Sequence, residues 1–184
     1  YLSGNSLLDI FQSMDFIVLQ GITAAAVNQG VHSMCNGANL AFEKNAFLDV
    51  GGYAGIDHIA SGDDMLLMHK ISEKYPGSTG YLKSAKAIVL TRPADDWRAF
   101  IRQRLRWSSK TFHYRDRRVF AALLLVLLFN LLFPVLAVAG FFNNTYWLIA
   151  LILLVLKTAV ELPFFIAVAR FYKSNSLASV FFFM

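Results

Sequence analysis

Residues 119–142 read VFAALLLVLLFNLLFPVLAVAGFF, a run of 24 residues without a charged side chain. At about 1.5 Å of rise per residue, about 20 apolar residues are enough to cross the hydrocarbon core of a bilayer. The run therefore predicts a transmembrane helix. Asn130 and Pro134 interrupt its apolar character, and the polar groups that they introduce predict neighbouring helices or water rather than a lone anchor.

A second apolar run covers residues 147–168, after the polar turn NNTY at 143–146, and a third begins at about residue 177. Lys157 and Glu161 lie four residues apart in the second run and so share a helix face. A charge near the bilayer centre costs roughly 2.5 to 3.5 kcal/mol, part of which pairing offsets. Two interpretations stay open: a self-paired contact within a helical bundle, or a polar feature that lines a conduit.

Composition and charge agree with a membrane protein. The chain is 57% hydrophobic and 16% charged, which is more apolar than a soluble domain usually is. Between Arg92 and Arg118 there are nine basic and three acidic residues, whereas the NNTY turn has no Lys or Arg. The positive-inside tendency then places residues 1–118 in the cytosol. Because this basic cluster adjoins a membrane run, it predicts contact with the bilayer and not with nucleic acid.

Residues 1–118 mix helical and extended patterns. Helical spacing is predicted over residues 5–27 and 93–110, with a short helix ended by Gly51 and Gly52. A strand or loop is predicted over residues 31–42, and weak alternation over 80–93 predicts one or two strands. The mixture predicts part of an α/β domain. The single cysteine, Cys35, rules out an intramolecular disulfide and a Cys-x-x-Cys metal site.

Two adjacent carboxylates stand at the predicted start of an apolar helix in the stretch ASGDDMLLMHK, residues 60–70. Ser61 and Asp64 have the spacing of a capping box, and acidic groups at a helix N-terminus oppose the positive end of its dipole. The alternative is that Asp63 and Asp64 carry out chemistry. The stretch by itself leaves both interpretations open.

Three elements occur in order: CNGANLAFEKNAFLDVGGY at 35–53, SGDD at 61–64 and QRLRW at 103–107, followed at once by membrane helices. This order resembles the C-terminal half of the membrane-bound family 2 inverting glycosyltransferases, whose catalytic fold is of the GT-A type. The resemblance implies an α/β catalytic part over residues 1–91, an amphipathic interfacial region over 92–118 and transmembrane helices over 119–184.

The resemblance also assigns roles to the residues of these motifs. It implies that Asp64 is the general base and Asp63 its partner. The QRLRW stretch is implied to bind the donor diphosphate and the acceptor, through Gln103, Arg104, Arg106 and Trp107. Small residues on the acceptor side are implied at Gly37, Ala38 and Asn39, where a plain tight turn is the alternative.

Members of the family hold Mg²⁺ or Mn²⁺ on the donor through a D-x-D motif in an N-terminal half. No D-x-D precedes residue 35, so the resemblance implies a fragment that is inactive alone, without a metal site of its own.

The implied partners are a nucleotide-sugar donor, a saccharide or lipid acceptor, and the lipid bilayer. The implied location is the bacterial inner membrane, with the catalytic part cytosolic. The competing hypothesis is a non-enzymatic membrane protein, a transporter or assembly subunit, in which SGDD only caps a helix.

Overall fold

The computed structural model describes residues 6–31, 34–59, 62–108 and 117–173. The chain forms two compact units, Tyr1–Arg115 and Asp116–Met184. The helices of the first unit are α1 (Leu7–Asn28), α2 (Lys44–Asp49), α3 (Asp63–Lys74) and α4 (Trp97–Ser108). The second unit contains α5 (Arg117–Gly140) and α6 (Thr145–Phe171). Two 3₁₀ turns, Gly37–Asn39 and Ala85–Ala87, lie in the loops of the first unit.

The predicted α/β fold is wrong, because the described ranges contain helices and no strand. Ser84 and Ile88, which flank the turn at Ala85–Ala87, do have extended backbone angles. A strand also needs a neighbouring strand for its N–H and C=O groups, and the described part of the chain offers none to residues 80–93. The weak alternation of apolar and polar residues over 80–93 therefore indicates extended backbone only, and not a strand. Residues 34–42 form a loop around the first 3₁₀ turn.

Helix α1 confirms the helix predicted over residues 5–27 and begins with a capping box that the sequence analysis did not identify. The Ser6 hydroxyl accepts the Asp9 N–H at 3.0 Å, and the Asp9 carboxylate accepts the Ser6 N–H at 3.3 Å. The spacing Ser-x-x-Asp before an apolar run is a sequence signature of such a start. Met14 and Ile17 of this helix are buried.

Gln12 joins α1 to the segment that leads into α4. Its side-chain amide donates to the Ala94 carbonyl at 3.0 Å and accepts the Ala94 N–H at 2.8 Å. The Gln12 side chain is fully buried, 0% exposed. Since a buried amide needs both hydrogen bonds, this two-point contact fixes the start of α4 relative to α1.

We expect Gln12→Leu to lower the free energy of unfolding by about 1 to 3 kcal/mol, because it leaves the N–H and C=O of Ala94 without their partner. Urea denaturation followed by circular dichroism measures this change. Gln20→Leu, at a half-buried glutamine of the same helix, is the matched control. Equal stability of the two variants would contradict a role for the Ala94 contact.

Helix α3 is held at its C-terminal end by contacts with the region of α2. The Lys70 ammonium donates to the carbonyl of Gly52 at 2.6 Å, after Gly51 and Gly52 end α2 with positive φ angles, as predicted. The Tyr75 hydroxyl donates to the Asp49 carboxylate at 2.5 Å. That hydrogen bond raises the pKa of Tyr75, since it favours the protonated phenol. These contacts set the direction of α3 and therefore the position of its N-terminus.

The described part of the second unit, residues 117–173, is a hairpin of two apolar helices. Helices α5 and α6 overlap the two runs identified in the sequence, and the chain reverses over residues 141–144, slightly before the predicted turn at 143–146. A Cβ at Gly140 would lie 2.5 Å from the Trp147 indole nitrogen, so only glycine lets this ring pack against the end of α5. The apolar run predicted from residue 177 lies outside the described residues.

Polar groups inside this hairpin are bonded within their own helices. The Asn130 amide donates to the Val126 carbonyl at 2.8 Å, rather than only to neighbouring helices or water as predicted. Lys157 and Glu161 form the expected ion pair at 2.6 Å. This contact favours the self-paired interpretation over a conduit lining.

Within the described ranges, three helices are long and apolar enough to cross a membrane, judged by length and composition: Leu7–Asn28, Arg118–Gly140 and Thr145–Phe171. The first was not identified as a membrane candidate from the sequence, although Asp9 and Asp15 are its only charged residues. Hydropathy is highest in the hairpin helices, and most of their surface is exposed to the surroundings. The chain is therefore suited to membrane association.

Candidate active site

The two carboxylates of SGDD lie in the first turn of α3, as predicted. Gly62 precedes the helix with φ of 99° and ψ of 16°, a left-handed conformation that glycine adopts without steric cost. Asp63 is exposed, whereas Asp64 is half-buried. The positive end of the helix dipole faces both groups.

The predicted capping box is wrong, because the N-cap residue is Gly62, which has no side chain to accept a hydrogen bond. Ser61 lies outside the described residues. The left-handed angle at Gly62 sets the helix start one residue later than the Ser-x-x-Asp spacing suggests. Asp64 is therefore the second residue of the helix, and not the third, as a capping box with Ser61 at the N-cap would require.

Asp64 is held by two backbone groups from different parts of the chain. One carboxylate oxygen, Oδ1, accepts the N–H of Met65 at 2.8 Å, and the other, Oδ2, accepts the N–H of Gly37 at 2.8 Å. A carboxylate oxygen has two lone pairs, so each oxygen can accept one further hydrogen bond. The arrangement fixes the carboxylate and still lets it receive a proton.

The loop at residues 36–39 lies against the Asp64 carboxylate. The Asn36 side chain accepts the N–H of Ala38 at 3.1 Å, and the Asn39 side chain donates to the Ala87 carbonyl at 2.8 Å. A Cβ at Gly37 would lie 3.2 Å from Oδ2 of Asp64, so a larger residue would press on the carboxylate. The structure thus brings the predicted acceptor-side loop and the predicted base together.

The QRLRW stretch lies on α4, with both Gln103 and Trp107 on the half-buried part of the helix surface. Arg104 stacks on Trp107, with its guanidinium carbon 4.3 Å from the ring centroid, and forms an ion pair with Asp15. The reason is the partner helix: α1 supplies the carboxylate, and the spacing of three residues puts Arg104 and Trp107 on one face. Arg106 is exposed, and Gln103 is half-buried.

Some of the predicted site residues lie in two separate clusters. Asp64 is bonded to the loop at residues 36–39, whereas Arg104 and Trp107 are packed on α1. Sequence reasoning missed Gln12 and Asp15, the α1 residues behind α4. The available signal was their spacing of three residues, which places two polar side chains on one face of a mainly apolar helix.

The expected divalent cation has no set of ligands in the part of the chain that the structure describes. No group of three or more His, Cys, Asp or Glu side chains is positioned there to hold a metal ion. Asp63 and Asp64 alone are too few ligands, since Mg²⁺ prefers octahedral oxygen coordination. The described residues therefore do not fit the ion.

An open groove of about 510 Å³ lies between α3 and the turn after α2, away from Asp64. Lys70 and Lys74, which line it, donate to the backbone carbonyls of Gly52, Ala54 and Asp49. Because both ammonium groups are engaged in holding α3, the groove is a packing feature rather than a site for an anionic ligand.

A fixed carboxylate beside a loop of small residues, in a chain with membrane-type helices, is suited to activating a hydroxyl group. Residues 11–167 match the family described as glycosyl transferase family group 2. The chain belongs to this family, so it is a glycosyl-transferring protein that acts on a sugar donor and an acceptor. Neither the curated proteins nor the solved structures contain a match to the chain.

Proposed function

We propose that this protein transfers a sugar from a nucleotide-activated donor to an acceptor hydroxyl, with inversion, at the cytosolic surface of a bacterial inner membrane. The observation that carries the proposal is the position of Asp64. Its carboxylate is fixed at the N-terminus of α3 and is bonded to the loop that contains Gly37. Membership of the family supplies the sugar donor and acceptor.

In the proposed reaction Asp64 is the general base. The acceptor oxygen bonds to the anomeric carbon of the donor sugar while the bond from that carbon to the nucleoside diphosphate breaks. The acceptor proton passes to the Asp64 carboxylate, and the diphosphate leaves with the bonding electron pair. A single displacement of this kind inverts the anomeric centre and forms no covalent enzyme intermediate.

The loop at residues 36–39 is proposed to receive the acceptor. Gly37 has only a hydrogen atom and Ala38 only a methyl group as side chain, which lets a sugar ring approach the backbone next to Asp64. Asn39 is engaged with the Ala87 carbonyl and keeps the loop in place. Asp63, exposed at the same helix end, is proposed to orient the acceptor or the helix start.

Helix α4 is proposed to lie at the membrane surface and to face the donor. Trp97, Ile101 and Leu105 are exposed apolar residues on α4. Its exposed arginines are Arg98, Arg102 and Arg106. This composition suits an interfacial helix. We assign the leaving diphosphate to Arg106, with Gln103 and Trp107 at the sugar, because Arg104 is committed to Asp15.

The test is a transfer assay on the full-length protein in membranes, with a panel of nucleotide sugars and saccharide or lipid acceptors. Mg²⁺ and Mn²⁺ are each included and omitted. We expect one donor to be used and the product to have the anomeric configuration opposite to that of the donor. Retention of configuration would contradict a single displacement at Asp64, and absence of transfer with every donor would contradict the enzymatic proposal.

A further inference from the structure

We propose that Asp15 of α1 is a positioning residue for the site on α4: it holds Arg104, and through Arg104 it sets the orientation of Trp107. The inference deepens the proposed function and rests on it for its kinetic part. Asp15 does not touch the reacting groups in this proposal. Its effect passes through one ion pair and one aromatic contact.

The Arg104 side chain lies against two aromatic rings of α4. Its guanidinium carbon lies 4.7 Å from the ring centroid of Phe100 and 4.3 Å from that of Trp107. The side chains of Arg104 and Asp15 are only 22% and 29% exposed. An arginine placed between two aromatic rings uses its planar shape as well as its charge, so the contact has a defined geometry.

This geometry depends on Asp15, whose carboxylate accepts a hydrogen bond from Arg104. Among the described residues, Nε and Nη1 of Arg104 are buried without a hydrogen-bond partner, whereas Nη2 donates to Asp15. Loss of one partner of a partly buried ion pair leaves the other charge uncompensated. Without Asp15 the guanidinium would turn towards water, and the ring of Trp107 would lose its neighbour.

Helix α1 holds α4 at more than one point along its length. Gln12, three residues before Asp15, bonds to Ala94 just ahead of α4. The ring of Phe16 lies 6.4 Å from that of Trp107. Because the start of α4 is already fixed, the Asp15 contact is left to determine the orientation of the side chains near its end.

The experiment uses the full-length protein in membranes, carrying Trp97→Phe and Trp147→Phe. Trp107 is then the remaining tryptophan of residues 1–184, and its fluorescence reports on its surroundings. Acrylamide quenching of its fluorescence is compared among wild type, Asp15→Asn and Arg104→Lys. Asp9→Asn, at the half-buried carboxylate in the first turn of the same helix, is the matched control, because the amide oxygen can still accept the Ser6 N–H. Asp15→Glu tests rescue by the same charge.

We expect Asp15→Asn and Arg104→Lys to increase quenching and to shift the emission to longer wavelength, while Asp9→Asn leaves both unchanged. We expect kcat for sugar transfer to fall about 10- to 100-fold in Asp15→Asn with little change in KM, and Asp15→Glu to recover part of the loss. Arg104→Lys is a second variant that keeps the charge if Asp15→Asn does not fold.

Unchanged quenching in both Asp15→Asn and Arg104→Lys would overturn the proposal. Increased quenching with unchanged kcat would overturn it too, since Asp15 would then only stabilise the fold. If the wild-type protein transfers no sugar from any donor, the proposed function fails instead. The quenching comparison still decides in that case whether Asp15 positions Trp107.

Discussion

Asp64→Asn should lower the rate of sugar transfer by about 10²- to 10⁴-fold, the usual contribution of a general base. Asparagine has nearly the same shape, and its side-chain carbonyl can still accept one of the two backbone hydrogen bonds that now hold the carboxylate. It cannot take up the proton of the acceptor. The expected result is therefore loss of kcat with the nucleotide still bound.

The measurement is initial-rate transfer by the full-length protein in membranes, together with binding of the nucleoside diphosphate. Asp57→Asn is the control, because Asp57 is 73% exposed in the turn that precedes α3. Full transfer by Asp64→Asn with only a lower melting temperature would mean that Asp64 stabilises the helix start. In that case the competing interpretation of SGDD as a structural helix start would be correct.

Gly37→Val should lower kcat by about 100-fold, because a misplacement of about 1 Å at the reacting group has an effect of that size. A Cβ at this position would lie 3.2 Å from Oδ2 and 3.4 Å from the Cβ of Asp64. The two branches of valine would add to this pressure. The carboxylate must then move, or the loop must withdraw the N–H that it donates.

Gly80→Val is the matched control for this variant. A Cβ at Gly80 would have open space, and its backbone needs no positive φ, so the same change in size should leave transfer unaltered. The measurement is kcat and KM for donor and acceptor in both variants. Equal activity of Gly37→Val and Gly80→Val would show that the loop does not position Asp64.

Much of the local structure was predictable from neighbouring residues. Helix α1, the short α2 with its glycine end, the acidic first turn of α3 and the two apolar helices follow from patterns within a few turns of chain. The exact start of α3 did not follow, because the left-handed angle at Gly62 depends on how the preceding chain enters the helix. The predicted strands failed because pairing needs a second segment, which alternation in one segment cannot supply.

The candidate site was predictable in part. Asp64 and the loop at Gly37 were both identified, and the resemblance to family 2 glycosyltransferases agrees with the family match. The sequence did not indicate that Gly37 donates to Asp64 across 27 residues. It also assigned Arg104 to the donor, whereas the structure pairs this residue with Asp15.

The amino-acid sequence by itself determined the membrane-type hairpin, the acidic N-terminus of α3 and the family, because hydropathy, helix signals and motif order are properties of the chain read locally. Only the tertiary structure decided which partners these residues have. Arg104 meets Asp15 across 89 positions, and Gln12 meets Ala94 across 82. Contacts at such separations depend on how the helices pack. Because an unpaired polar group is costly once it is buried, each of these side chains requires its particular partner.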